Sequence, residues 1–247
     1  MRLNRFFTER KNIAVGSSVK LQDEDTEHIR KVLRLKAEDK VILFNGEKEY
    51  AATLKLVTKE FVTAEVTEIL RSVDTLEKTS LILFQGLLKG GMFDLIVEKA
   101  VEIGVTQIIP VECEYSQMKS DVADKKTDRW NKIARSAAKQ SERMDIPEVT
   151  TSIKLKDLNA ELLDGLEEIF LFTLNKDGLE GLKLPDSIKA KKIAFIVGPE
   201  GGFSPFEHDY LTNALKLKPY TLGSTILRAE TASIVAGGIL KFLTGRS

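Results

Sequence analysis

The residues best suited to chemistry lie in two glycine-containing loops near the end of the chain. In the first, the apolar run Ile193 to Val197 leads into Gly198-Pro199-Glu200-Gly201-Gly202-Phe203-Ser204-Pro205-Phe206-Glu207. A buried strand feeding a loop and then a helix is expected, because Ser204, Pro205 and Glu207 fall at the N-cap, N1 and N3 positions of a capping box. Gly198, Gly201 and Gly202 leave main chain uncovered, so a flat or extended ligand can approach N–H and C=O groups directly. The same glycines also suit a plain tight turn. The spacing is not G-x-G-x-x-G, and no Lys-Ser/Thr pair follows, which weakens dinucleotide and triphosphate readings. The second loop, Thr221-Leu222-Gly223-Ser224-Thr225-Ile226-Leu227-Arg228-Ala229-Glu230, repeats the design before a helix rich in small residues. Two such loops at separate strand ends can close on one small molecule, flanked by Arg228 and Glu230. These two residues equally suit a surface ion pair, worth little by itself. Ala232, Ala236, Gly237 and Gly238 also fit close helix packing.

A stripe of positive charge is the other candidate. Arg129, Lys132, Arg135, Lys139 and Arg143 recur every three or four residues, opposite Trp130, Ile133, Ala134 and Ala137. Phosphate binding and a merely solvated helix face both account for it. A smaller cluster, Arg30, Lys31, Arg34 and Lys36, lies earlier in the chain with Arg2 and Arg5 near its start. Together the clusters suit one elongated anionic ligand. Cys113 reads as a buried small hydrophobe. No nucleophile marks His208 and Asp209 as parts of a hydrolytic triad.

The elements that hold these residues change in texture along the chain. Residues up to about 72 read mainly as strands, with Asn45-Gly46 marking a hairpin between apolar runs. Asp25 or Thr26 is the expected cap of a short helix burying Ile29, Val32 and Leu33. A boundary is placed near Ser72 to Lys78. Beyond it, strands are expected at Ser80–Phe84, Gln107–Val111, Ile169–Thr173, Ile193–Val197 and Tyr220–Leu222. Helices are expected at Phe93–Ile103, Thr127–Arg143, Asp157–Leu163, Pro205–Lys216 and Glu230–Leu243. Such alternation predicts an α/β fold with a mostly parallel sheet flanked by helices, its ligands beyond the carboxyl ends of the strands.

Composition limits the alternatives. With 247 residues, 43% hydrophobic, the chain can bury a full core. Its 37 Lys and Arg balance 37 Asp and Glu, so nucleic acid must be held by local patches rather than by net charge. One cysteine and two histidines exclude an internal disulfide and offer little for a metal site. The start of the chain shows no apolar signal core and no membrane-length apolar run occurs, so a cytoplasmic, metal-free protein independent of membranes is expected.

These motifs resemble the bacterial 16S ribosomal RNA uridine-N3 methyltransferases of the RsmE family, within the knotted SPOUT class. The resemblance spans essentially the whole chain and rests on Arg5-Phe6-Phe7, His28-Ile29 with Val32-Leu33-Arg34-Leu35, and Val97-Glu98-Lys99-Ala100 with Glu102-Ile103-Gly104-Val105. It continues through Ala137-Ala138-Lys139-Gln140-Ser141 with Arg143 and Ile146-Pro147. Gly198-Pro199-Glu200-Gly201-Gly202 and Leu222-Gly223 with Ile226 to Ala232 are its most specific parts.

The resemblance implies a PUA-like β-barrel RNA-binding domain at residues 1–72. It implies a SPOUT methyltransferase domain at 73–247, with a C-terminal trefoil knot. It implies a homodimer acting on 16S rRNA within the small ribosomal subunit. S-adenosylmethionine would be held by Leu174, Gly198, Glu200, Gly201, Gly202, Leu222, Gly223, Ile226 and Leu227. Arg5, His28, Arg34, Arg129, Lys132, Arg135, Lys139 and Arg143 become RNA contacts. For attack of uridine N3 on the sulfonium methyl group, Arg228 is the candidate catalytic cation that stabilises the anionic ring, and Glu230 or a water the candidate acceptor of its proton. Gly91 and Met92 stand where the family usually has an acidic and then a basic residue. Thr225 and Tyr115 replace basic residues found in many members; these departures bear on RNA contacts rather than on the cofactor loops. The rival readings are a non-enzymatic RNA-binding or ribosome-assembly protein on the same fold, and an α/β dehydrogenase, which the missing fingerprint weakens.

Overall fold

The computed structural model describes residues 3–72, 79–173 and 184–245. Its contacts divide the chain into two compact units, residues 1–76 with 138–146, and residues 77–137 with 147–247. The boundary expected after residue 72 adjoins residues 73–78, which lie outside the described set.

In the first unit, strands β1 (Arg5–Phe7), β2 (Ser18–Lys20), β3 (Lys40–Phe44), β4 (Lys48–Val57) and β5 (Val62–Ser72) form one sheet in the order β1-β3-β4-β5-β2. β1 runs parallel to β3, and the other pairs are antiparallel. The expected hairpin forms between β3 and β4. Asn45 Oδ1 accepts from the backbone N–H groups of Glu47 (3.1 Å) and Lys48 (2.9 Å), while Gly46 takes a φ of +91° that disfavours a side chain. Register shifts between β4 and β5 bend the long pair. Their inward residues, among them Tyr50, Ala52, Leu54, Val62, Ala64 and Val66, close on Phe6, Ile29 and Leu43 in a single core.

The short helix departs from expectation. Gln22 holds the N-cap position of α1 (Asp23–Glu27) without a side-chain capping hydrogen bond, and Asp25 and Thr26 are buried within the helix. It continues as a π-helical turn over His28–Leu33. The wider turn keeps Ile29 fully buried but swings Val32 out to 65% exposure. Asp25 instead receives Lys139 Nζ at 2.5 Å.

The second unit contains β6 (Ser80–Gly86), α2 (Met92–Ile103), β7 (Gln107–Glu112), α3 (Ser120–Asp124), α4 (Thr127–Gln140), β8 (Glu148–Val149), β9 (Ile153–Lys154) and β10 (Glu168–Phe172). These are followed by β11 (Lys192–Val197), α5 (Pro205–Asp209), β12 (Lys218–Tyr220) and α6 (Ala229–Leu243). The final residues of α4, from 138, group with the first unit. The sheet runs β12-β10-β11-β6-β7-β8, with β9 also on β7, and every described pairing is parallel. Continuous apolar strands suit this arrangement: Ile193 to Val197 are all buried, and Phe195 alone is worth about 2–3 kcal/mol of apolar burial. A Cβ on Gly237 of α6 would lie 3.3 Å from the Phe195 ring, so this glycine permits close packing, whereas Gly238 faces open space.

Three expected helices change. α4 stops at Gln140, three residues before Arg143, where Glu142 takes a φ of +58° and the Arg143 N–H turns back to Ala138 O (3.0 Å). Asp157–Leu163 is not a helix: a 3-10 turn at Leu155–Asp157 leads into turns in which Asn159 Oδ1 takes the Leu162 N–H (3.0 Å) and Gly165 adopts a φ of +73°. An asparagine side chain here competes with the helical backbone ladder. Pro205–Lys216 divides into α5 and a π-helical turn at Tyr210–Ala214. The last expected strand forms two residues earlier, at Lys218–Tyr220.

Candidate functional site

The chain enters the sheet at β6, builds β7 and β8 to one side, and later places β11, β10 and β12 on the other. A reversal of this kind opens a crevice beyond the strand ends. A cavity of about 690 Å³ lies beyond the carboxyl ends of β10, β11 and β12, within the size range of small-ligand sites.

Its first wall is the loop after β11. The Gly202 N–H donates to Pro199 O (2.9 Å), and Gly202 takes a φ of +71°. The expected capping box anchors the start of α5. Ser204 Oγ accepts from Glu207 N (3.3 Å), and Glu207 Oε2 accepts from Ser204 N (3.0 Å). Glu207 Oε1 also takes the Glu114 N–H at 2.7 Å, tying the loop to the turn after β7. A Cβ on Gly201 would stand 2.8 Å from Tyr115 Cβ, so this close approach needs glycine. Glu200 Oε1 accepts from the Lys89 N–H (3.3 Å).

The second wall is the loop between β12 and α6. Gly223 adopts a φ of +113°, and Ile226 stands 74% exposed. Gly198, Glu200, Gly201, Gly202, Leu222, Gly223, Ile226 and Leu227 all line the cavity. Leu174, the remaining expected member, lies outside the described residues. Arg228 is the N-cap of α6, exposed, with the cavity-lining Leu227 and Ala229 on either side; neither Arg228 nor Glu230 itself lines the cavity. The two form no ion pair with each other.

Several lining residues escaped sequence reasoning. Pro205, His208, Asp209 and Thr212 present one helical face to the cavity, a spacing visible in the sequence but without a ligand to give it meaning. Tyr115, Phe172, Thr173 and Phe203 arrive from other strand ends and turns. Thr173 Oγ1 is buried and has no hydrogen-bond partner among the described residues. A ligand polar atom would satisfy it. Behind the loops, the Ser233 hydroxyl of α6 is shared between Gln85 Oε1 and Ala229 O, and Gln85 Nε2 donates to Gly86 O (3.0 Å). Gln85 is fully buried. Burial, then the charge of Glu207, pushes the Cys113 thiol far up, leaving it protonated and unreactive.

The basic residues occupy different environments. Arg5 is buried, paired with Glu49, and donates to Arg143 O (3.0 Å). Lys139 pairs with Asp25, Arg143 with Asp145 (2.8 Å) and Arg129 with Asp94 (2.6 Å). Trp130 Nε1 donates to the other Asp94 oxygen (3.0 Å). Lys132, His28 and Arg34 are exposed and Arg135 is half-buried. Arg34 adopts a φ of +55° at the end of the π-helical turn.

Comparison with known proteins defines the class. Residues 75–241 match the RNA methyltransferase domain family, and residues 21–67 match the RNA methyltransferase PUA domain family. A ribosomal RNA small subunit methyltransferase E from Rickettsia conorii is 31% identical over 240 residues, 96% of this chain and 94% of its own. The protein of the same name from Aquifex aeolicus is 31% identical over 243 residues, 95% and 97% of the two chains. The crystal structure of a ribosomal RNA small subunit methyltransferase E from Neisseria gonorrhoeae, bound to S-adenosyl methionine, superposes with a TM-score of 0.83. It is 31% identical and covers 98% of both chains. The chain belongs to the ribosomal RNA small subunit methyltransferase E family. The fold is accordingly the expected SPOUT-type α/β arrangement preceded by a PUA domain.

Proposed function

We propose that this protein transfers a methyl group from S-adenosylmethionine to N3 of a specific uridine in 16S rRNA of the small ribosomal subunit. The observation that carries the proposal is the cavity where two glycine loops converge beyond the ends of β10, β11 and β12. Its residues fit the cofactor: glycine main chain offers donors and acceptors to a polar ligand, and the buried Thr173 Oγ1, without a partner among the described residues, can take up one of its polar atoms. Gly198, Glu200, Gly201 and Gly202 hold it from one side and Leu222, Gly223, Ile226 and Leu227 from the other. When bound, the cofactor supplies an electrophilic sulfonium methyl group.

The chain supplies position and charge. Holding the uracil against the cavity mouth converts a two-body encounter into a reaction within one site. Uridine N3–H is weakly acidic, so its proton leaves before or during attack. Arg228, a cation at the start of α6, stabilises the negative charge that develops on the ring, and Glu230 or a water accepts the proton. Residues 1–72 bind RNA and residues 73–247 carry the methyltransferase with its knotted C-terminal segment. His28 and Arg34 of the first unit, and Arg129, Lys132 and Arg135 of the second, meet RNA phosphates. Arg5, Lys139 and Arg143 hold the 138–146 segment against which RNA lies. The working protein is a cytoplasmic homodimer. Among the described residues no helix is long and apolar enough to cross a membrane.

The test is methyl transfer from labelled S-adenosylmethionine to small subunits taken from cells lacking the protein, with nucleosides separated by mass. Label in N3-methyluridine supports donor, reaction and substrate together. Cofactor binding without label would redirect the search to another RNA, and no cofactor binding would remove the reading.

A further inference from the structure

A second recess, of about 400 Å³, lies across α5 from the cavity. The helix is a partition: Pro205, His208 and Asp209 face the cavity, while Phe206, Glu207 and Tyr210 face the recess. The turn after β7 divides likewise, with Tyr115 on the cavity side and Cys113 and Glu114 on the recess side.

The recess has an apolar floor, an aromatic wall and a cationic rim. Cys113 and Leu155 are buried at 2% and 3% exposure, and the Tyr210 hydroxyl is tied to Leu158 O (2.7 Å). Phe206 stands 77% exposed in the first turn of α5. Lys154 and Lys156 are exposed on either side of Leu155 and have no ion-pair partner among the described residues. Three carboxylates also line the recess, but two are spent. Glu207 accepts from the backbone of Ser204 and Glu114. Glu112 accepts from Ser120 N (2.8 Å) and pairs with Lys119 at 3.5 Å. Among the described lining residues, only Glu114 offers an uncommitted carboxylate, against two uncommitted lysines.

We propose that this recess receives one nucleotide of the single-stranded RNA substrate flanking the target uridine, its base stacked on Phe206 and its phosphate paired with Lys154 and Lys156. A flat base is the chemistry an exposed phenyl ring over an apolar floor accommodates, and stacking of this kind tolerates any base. Two unneutralised ammonium groups at the rim match the anionic backbone. The subsite rests on the methyltransferase reading, since the shared partition of α5 sets it beside the reaction cavity.

The test measures binding of a labelled uridine hexanucleotide by fluorescence anisotropy, using the full-length chain. Phe206→Ala is expected to weaken binding ~10-fold, in keeping with the loss of one base stack. The double substitution Lys154→Ala with Lys156→Ala is expected to weaken it and lower the salt slope by about 0.7 per lysine. Glu114→Gln, which removes the remaining carboxylate, should tighten binding. S-adenosylmethionine affinity by calorimetry and the thermal midpoint should be unchanged in each variant, which separates a lost subsite from lost folding. Hexanucleotide affinity within twofold of wild type in both Phe206→Ala and the double lysine variant would overturn the proposal. So would uridine monophosphate binding as tightly as the hexamer, which would make the recess a free-nucleotide site, or a change of oligomeric state in place of RNA affinity. Failure of the wild-type protein to methylate small subunits would instead remove the reading beneath it.

Discussion

A Cβ placed on Gly86, the last residue of β6, would fall 2.6 Å from the carbonyl carbon of Gly198, the first residue of the glycine loop. Strand end and loop therefore meet backbone to backbone, with the Gln85 amide pinned beside them by Ser233. Gly86→Ala must push the loop aside. We expect a stability loss of about 1–3 kcal/mol, as for other overpacked sites, and a fall of ~10-fold or more in S-adenosylmethionine affinity. Urea unfolding and calorimetry on the same preparation separate the two effects; an unchanged affinity would mean that the loop position is not critical.

Glu49 bridges Arg5 and Arg71, and the two guanidinium groups reach Arg143 O (3.0 Å) and Glu142 O (2.8 Å). The Glu49 and Arg5 side chains are 6% and 5% exposed. Removing the carboxylate leaves buried positive charge without its partner. Glu49→Ala is expected to cost about 3–5 kcal/mol in denaturant unfolding. A loss below about 1 kcal/mol, the scale of a surface pair, would show that water replaces the carboxylate.

Arg228→Ala should leave cofactor and RNA affinities near wild type while lowering kcat by roughly 10²–10³, the usual consequence of deleting one charge-stabilising donor. Arg228→Lys should recover part of the rate. Full methyl transfer by the alanine variant would assign ring-charge stabilisation to another group.

At Glu112, burial raises the carboxyl pKa, but hydrogen bonding from Ser120 and the Lys119 charge outweigh it and hold the group below its ordinary value of 4.5. A folded pKa below the unfolded one contributes stability that is present above the ordinary value and fades as pH falls through the lower folded value. Glu112→Gln should therefore be less stable than wild type at neutral pH, with the gap narrowing as the solution is acidified below the ordinary carboxylate range. Urea midpoints across that range test it, and a gap independent of pH would locate the effect in packing.

Periodicity and turn chemistry were readable where one local signal stood unopposed, and misled at 157–163, where the Asn159 side chain takes the Leu162 N–H from the helical ladder. The Asn45-Gly46 hairpin, the Ser204–Glu207 capping box and the apolar strand Ile193 to Val197 formed as their residues predict. The loops bearing Gly198 to Gly202 and Gly223 were found because glycine answers a backbone need that can be read one residue at a time. Longer-range effects were hidden. Val32 has the right spacing for burial, yet a π-helical turn exposes it. The stripe from Arg129 to Arg143 looks uniform in sequence, but Asp94, Asp25 and Asp145 engage three of its five cations. Its last member also lies past the end of α4.

The sequence alone determined the α/β alternation, the two glycine loops and the family. These follow from residue type, spacing and local backbone preference. Tertiary structure decided the rest. It brought Thr173, Tyr115 and His208 to the same cavity as the glycine loops, and it set Phe206 and Lys154 around a recess of their own. It also joined residues 138–146 to the first unit through Arg5, Arg71 and Asp25. Such contacts depend on which strands become neighbours, and sheet order is set by the packing of the whole core rather than by any segment of the chain.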